Sequence, residues 1–172
     1  MRLCAAPVEI CAGPSTGATY PVSVFKPTPA VVEGLRALAD SLDSDELERL
    51  VATEVARSRP DLTDVLLRAA RLADKARHQL PQPLVAATCR ATLKRMGERH
   101  PGHSVEVRVP PWMAVQVGFG SGPRHTRGTP PNVVEIEPDV FIALALGTLA
   151  WDEADVRASG AHADEAAQLF PA

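Results

Sequence analysis

The sequence has few cysteines and no long apolar run, and each scarcity excludes a class of protein. Its three cysteines, Cys4, Cys11 and Cys89, are an odd number at wide spacing, which argues against a disulfide framework and a zinc site. No stretch of 18 or more apolar residues is present, so stable membrane insertion is not expected. Proline and glutamate interrupt residues 1–17, so no signal peptide is predicted and we expect a cytoplasmic protein.

Positive charge is not in excess either. The 172 residues hold 18 Lys+Arg against 21 Asp+Glu, a net charge of −3, and only Lys26, Lys75 and Lys94 are lysines. A general nucleic-acid binder would carry a basic surplus, so nucleic acid is not predicted as a partner. Hydrophobic residues make up 45% of the chain, which is enough for the core of one domain, with or without an extension.

Residues 1–28 are rich in proline and glycine, and no helical or strand period persists in them. This composition predicts a flexible tail. A strand at residues 20–25 is the alternative.

Residues 29–80 predict a helical extension of three amphipathic helices. Thr28-Pro29 is a suitable start for the first helix, and Asp43 followed by Glu46 resembles a capping box for the second. Asp61 can cap a third helix that runs to about Leu80. Each helix needs a partner for its apolar stripe, so they form a small bundle or pack on the C-terminal half of the chain.

Residues 84–171 predict a separate α+β domain. Residues 84–99 form a helix with one apolar side and one basic side, and residues 105–109 and 112–119 then alternate as strands. A short strand at 133–136 precedes a helix that Gly147 ends. A strand-like segment at 157–159 and a last helix at about 162–169 complete the domain. Strands and helices are partly segregated, which favours a mainly antiparallel sheet.

Catalytic and metal-binding patterns are missing from the sequence. There is no GxSxG or HExxH motif, and His100 and His103 sit in a turn without a nearby carboxylate or cysteine. Cys89 lies on the apolar face of a predicted helix, as a small buried side chain would. We therefore predict no enzyme, no metal and no cofactor.

The Gly- and Pro-rich segment 118–131 contains three side chains that could contact an anion. These are Arg124, His125 and Arg127. The alternatives are a rigid connecting loop, whose arginines pair with Glu135 or Glu137, and a partner surface.

Large apolar side chains cluster in the same half of the chain. Those considered as ligand-binding residues are Trp112, Val115, Val117, Phe119, Phe141, Leu144 and Trp151. They fit an ordinary core, and they equally fit a sheet and helix that leave a lipid-sized cavity with Trp112 or Trp151 closing one end. Periodicity does not distinguish a filled core from an open one.

The order of motifs after residue 104 resembles the bacterial branch of the sterol-carrier-protein superfamily. The resemblance rests on the strand 105–109 with Pro110-Pro111, the run 122–135, the helix ending at Gly147, and Ser159-Gly160 before the closing Leu169-Phe170-Pro171. It spans about residues 84–171. It implies a curved, mainly antiparallel five-stranded sheet covered by helices, with an apolar tunnel between sheet and helices.

The resemblance also implies a function. Such domains bind or transfer sterols, fatty acids or acyl-CoA without chemistry, so we expect a hydrophobic small molecule or lipid as partner. The alternative is a protein-interaction or accessory domain without a lipid ligand. In that case the helices of residues 29–80 would form a homo-oligomer or a partner surface.

Overall fold

The computed structural model describes residues 24–119 and 132–172, and the first part of it is helical. Three helices were predicted there and three are present: α1 (Pro29–Ser41), α2 (Asp45–Val55) and α3 (Thr63–Lys75). The Thr28 hydroxyl accepts a hydrogen bond from the Val31 amide and caps α1, as predicted.

Three of the predicted helix boundaries in this part differ. Leu62, not Asp61, is the N-cap residue of α3, although Asp61 Oδ1 accepts from the Thr63 amide at 3.0 Å. Ser44, not Asp43, caps α2 by accepting from the Leu47 amide, because Asp43 adopts a left-handed φ of 48° and belongs to the preceding turn. The third helix ends at Lys75 rather than near Leu80. Arg77 has a left-handed φ of 52°, and the next amide turns back to an α3 carbonyl, which closes the helix.

Residues 24–28 have no regular structure, but they are anchored. The Phe25 amide donates to Asp61 Oδ1 at 3.2 Å, and the Phe25 carbonyl accepts from the Leu62 amide at 3.1 Å. Residues 1–23 of the predicted tail, and most of the alternative strand at 20–25, lie outside the described residues. Phe25 itself is not in a strand.

Helix α4 (Gln82–Arg99) lies between two hydrophobic clusters. One side of α4 packs with α1 and α3, and its residues Leu84, Ala87 and Ala91 belong to the cluster that these helices form with α2. The other side contributes a second set to the cluster around the sheet, namely Val85, Cys89, Leu93 and Met96. The predicted apolar side is buried and Arg90 and Arg99 on the predicted basic side are exposed, but burial extends over most of the circumference of α4 and leaves a narrower polar side than predicted.

The sheet has four strands within the described residues: β1 (Val105–Val109), β2 (Met113–Val117), β3 (Val133–Ile136) and β4 (Val156–Ser159). Their order is β2-β1-β3-β4. Strands β1/β2 and β3/β4 pair antiparallel, and β1/β3 pair parallel. The α+β class and a mainly antiparallel sheet are confirmed, and the described residues contain one strand fewer than the resemblance implied.

Helices cover one face of the sheet. Helix α4 packs on β2, and the C-terminal 3-10 helix (Ala163–Leu169) packs on β1, β3 and β4. Helix α5 (Pro138–Leu146) packs against α3 and α4. No helix in the described part of the chain is both long and apolar enough to cross a membrane.

Candidate ligand-binding site

The β2 side of the predicted site packs closely against α4. Val117 is fully buried and Phe119 is 9% exposed, in the same cluster as the sheet core. Val115 lies against Gly97 of α4, so close that a side chain at position 97 would overlap its Cγ2. At this point the helix and the strand are in direct contact.

Trp112 lies just before β2 and is partly buried. The guanidinium of Arg90 lies over the indole ring, 5.4 Å from its centroid, a cation–π contact between α4 and the β1–β2 turn. The indole Nε1 is buried and has no hydrogen-bond partner among the described residues.

The second group of predicted residues forms an aromatic row that leads from the core to the surface. The fully buried Phe141 meets Phe170 edge-on, with centroids 5.7 Å apart and planes at 80°. Phe170 in turn stacks on Trp151, with centroids 5.8 Å apart and planes at 25°. Both pairs have the geometry that aromatic rings prefer.

An open cavity of about 470 Å³ lies beside this row, and we name it the ligand groove. Its lining is mainly apolar and includes Leu144, Leu149, Ala150, Trp151, Phe170 and Pro171, with Glu153 as its charged member among the described residues. The volume is in the range of about 300–1,000 Å³ typical of small-molecule sites.

Local backbone structure creates the groove. Helix α5 ends at Gly147, whose left-handed φ of 69° suits glycine and turns the chain away from the helix axis. The 3-10 turn Trp151–Glu153 comes next along the chain. The C-terminal residues return to α5, where the Ala172 amide donates to the Ala145 carbonyl at 3.1 Å. The groove lies between these three segments.

The structure thus divides the seven predicted ligand-binding residues. Leu144 and Trp151 line the ligand groove. Phe141 does not line it but contacts Phe170, which does. The other four come from the β1–β2 hairpin and belong to, or pack against, the sheet cluster. Sequence reasoning missed Phe170 as a site residue. The scarcity of aromatic residues, at 4% of the chain, was the signal that could have found it.

The candidate anion-contact residues Arg124, His125 and Arg127 lie outside the described residues. Of the two glutamates considered as their loop partners, Glu135 forms an ion pair with Arg157 of β4, with Nη1 and Oε1 3.3 Å apart.

Cys89 does not have the environment of a nucleophile. It is fully buried, and burial together with the negative charge of Asp139 raises the pKa of its thiol to about 12, against a small opposing effect of Arg90. Cys89 is therefore a protonated core side chain at neutral pH. Across residues 24–119 and 132–172, no group of three or more His, Cys, Asp or Glu is placed to hold a metal ion.

The fold is that of an α+β domain with helices over one face of a mixed sheet. A family model described as bacterial SCP ortholog matches residues 81–172, which is slightly more than half of the chain. The chain belongs to this family, and the resemblance to the sterol-carrier-protein superfamily is confirmed. No curated protein matches the chain as a relative.

Proposed function

We propose that the protein is a non-catalytic binder or carrier of a hydrophobic ligand, which it holds in the ligand groove. Membership of the SCP family supports a carrier domain in general terms. The observation that carries the proposal is the largely apolar 470 Å³ groove in the matched half of the chain, beside the partly buried Trp151 and Phe170.

The energetics suit a reversible carrier. Each methylene removed from water contributes about 0.8 kcal/mol, so about ten methylenes contribute ~8 kcal/mol before the cost of association. An association cost of about 8 kcal/mol would cancel this contribution, whereas about twenty buried ligand carbons, as in a sterol, contribute ~16 kcal/mol and leave the ~8 kcal/mol of a micromolar dissociation constant, at which a ligand is both held and released.

The charges at the groove favour a neutral head group. Glu153 lines the groove, Asp152 is its exposed neighbour in the same 3-10 turn, and no Lys or Arg lines the groove among the described residues. A fatty-acid carboxylate placed here meets negative charge. A sterol or another lipid alcohol does not, so we propose this class over the fatty-acid and acyl-CoA classes.

A displacement titration with a blocked groove tests the proposal. The Ala150→Trp substitution places an indole in the groove from an exposed position and leaves the core unchanged. Binding of a fluorescent sterol should weaken by about tenfold or more, because the filled groove no longer removes the ligand from water. The matched control is Ala37→Trp on the exposed side of α1, which should bind as the parent does. Unchanged binding by Ala150→Trp contradicts the proposal.

The alternative of an interaction domain that dimerises through α1, α2 and α3 has less support. The apolar stripes of these helices pack on one another and on α4. In the described ranges, Leu50 is the single exposed large hydrophobic residue, with 37% of its surface accessible to solvent. A stable oligomer without bound ligand in analytical ultracentrifugation would favour this alternative.

A further inference from the structure

A second cavity lies on the other side of α5, where the helical extension meets the family domain. It has a volume of about 170 Å³ and is formed by the C-terminal half of α3, the following turn and α5. Its floor is apolar, with Ala70, Ala73, Leu80, Ile142 and Leu146. The proposed function uses none of these residues.

The rim of this cavity carries two negative charges. The carboxylates of Asp74 on α3 and Asp139 on α5 both line it, and neither has a hydrogen-bond or ion-pair partner among the described residues. The exposed imidazole of His78 is a third polar group at the rim. The described lining includes no Lys or Arg. Arg71, one turn along α3, is engaged with the Leu146 carbonyl at 3.0 Å.

We propose that this cavity, which we name the amine cavity, binds a compact organic ammonium ion that carries one apolar ring. The volume is close to the ~150 Å³ of an apolar protein cavity that holds benzene. The ring would occupy the apolar floor, and the ammonium group would lie between Asp74 and Asp139. Neither a long-chain lipid nor an anion fits this combination of size and charge. The proposal is independent of the ligand groove.

Benzylamine is the probe for the test, with benzyl alcohol and benzoate as neutral and anionic molecules of the same ring size. Binding would be measured by chemical-shift titration of the full-length protein in ¹⁵N-labelled form. An ion pair at an exposed rim changes affinity by about two- to fivefold, so benzylamine should bind at least about fivefold more tightly than benzyl alcohol with two carboxylates present. The shifted resonances should belong to α3 and α5.

Variants separate charge from shape. Asp74→Asn and Asp139→Asn should each weaken benzylamine binding by about two- to fivefold and leave benzyl alcohol unchanged. Asp40→Asn, on the exposed side of α1, is the matched control and should have no effect. Ala143→Leu fills the cavity from α5 and should remove binding of both molecules while the two carboxylates remain.

Several results would overturn the proposal. These are no saturable shift with benzylamine, equal affinity for benzylamine and benzyl alcohol, tighter binding of benzoate, or shifts confined to the ligand groove. A folded Ala143→Leu variant that still binds benzylamine would also overturn it. The spectrum of each variant without probe reports whether it is folded.

Discussion

The indole of Trp151 stacks on the ring of Phe170, which in turn meets the buried Phe141 edge-on. Residues 151 and 170 lie in two different C-terminal segments, and their contact fixes the distance between those segments. The ligand groove lies beside this contact. The stack therefore holds the C-terminal segment beside the 3-10 turn and contributes to the shape of the proposed binding site.

Replacing Phe170 with alanine should destabilise the protein and weaken ligand binding together. Phe170 is only partly buried, so we expect a loss of about 2 kcal/mol, below the ~3–5 kcal/mol of a fully buried phenylalanine. Chemical denaturation measures the first effect and sterol titration the second. Phe170→Leu keeps apolar contact, so its stability and its affinity for the sterol should fall less than those of Phe170→Ala. An unchanged ligand affinity in Phe170→Ala would separate the stack from the site.

The helical extension and the family domain should unfold in one transition, because α4 belongs to both hydrophobic clusters. Leu84 packs with α1–α3 and Leu93 packs with the sheet, and both are fully buried. Leu84→Ala and Leu93→Ala should each lower the free energy of unfolding by about 2–5 kcal/mol, and in each variant the whole protein should still unfold in one transition. Calorimetry and urea unfolding monitored by two probes would check this. Two separate transitions, each sensitive to one substitution, would show two independent domains.

Gly97 should not tolerate a side chain, although alanine favours helices. A Cβ at position 97 would overlap Val115, whose β-branched side chain is stiff and cannot easily move away. Overpacking by Gly97→Ala should therefore lower the free energy of unfolding by about 1–3 kcal/mol, against a gain of ~1 kcal/mol in helix propensity. In the Val115→Ala background the overlap is absent, so adding Gly97→Ala should raise the free energy of unfolding by the ~1 kcal/mol gain in helix propensity. A double-mutant cycle measures this coupling, and simple additivity would contradict the close approach.

Acid should destabilise the protein in part through Asp61, whose carboxylate contacts residue 25, the start of α3 and Arg95 of α4. Burial opposes the charged form of this carboxyl. Hydrogen bonds from the side chain and amide of Thr63 and from the Phe25 amide outweigh burial, together with the charge of Arg95, and hold its pKa below the usual 3.8. A lowered folded-state pKa contributes stability above the unfolded-state value, and this contribution is lost as the pH falls through the folded-state value.

The test of Asp61 compares urea unfolding of the parent and Asp61→Asn between pH 7 and pH 2. The variant should be less stable at pH 7 and should lose less stability on acidification below about pH 4. Asp40→Asn, at an exposed position, should match the parent curve. Parallel curves for the parent and Asp61→Asn would exclude this role of the carboxylate.

Local signals in the sequence predicted most elements of the fold. Alternation in residues 105–109 gave β1, and Gly147 marked the end of α5, because a strand period and a left-handed helix end depend on neighbouring residues only. The start of α1 was equally local. The end of the third helix was not predicted, because the residue in the left-handed conformation is Arg77 and not the glycine or asparagine that usually marks a helix end.

Features that depend on distant residues were predicted less well. The burial of α4 on two sides arises from packing against both clusters, and its Arg95 pairs with Asp61 and Asp64 of the helical extension instead of facing solvent freely. The ligand groove requires the C-terminal residues to return to α5. Only the aromatic composition and the family resemblance pointed to Trp151, and neither placed Phe170 against it.

The central claim is that the protein carries a hydrophobic ligand. Native mass spectrometry of gently purified full-length protein, with organic extraction and identification of the extract, tests it most directly. We expect a mass increment from a neutral lipid of the sterol or lipid-alcohol class, and loss of that increment in Ala150→Trp. A mass equal to the bare chain, with no displacement of a fluorescent sterol from the ligand groove, would contradict it.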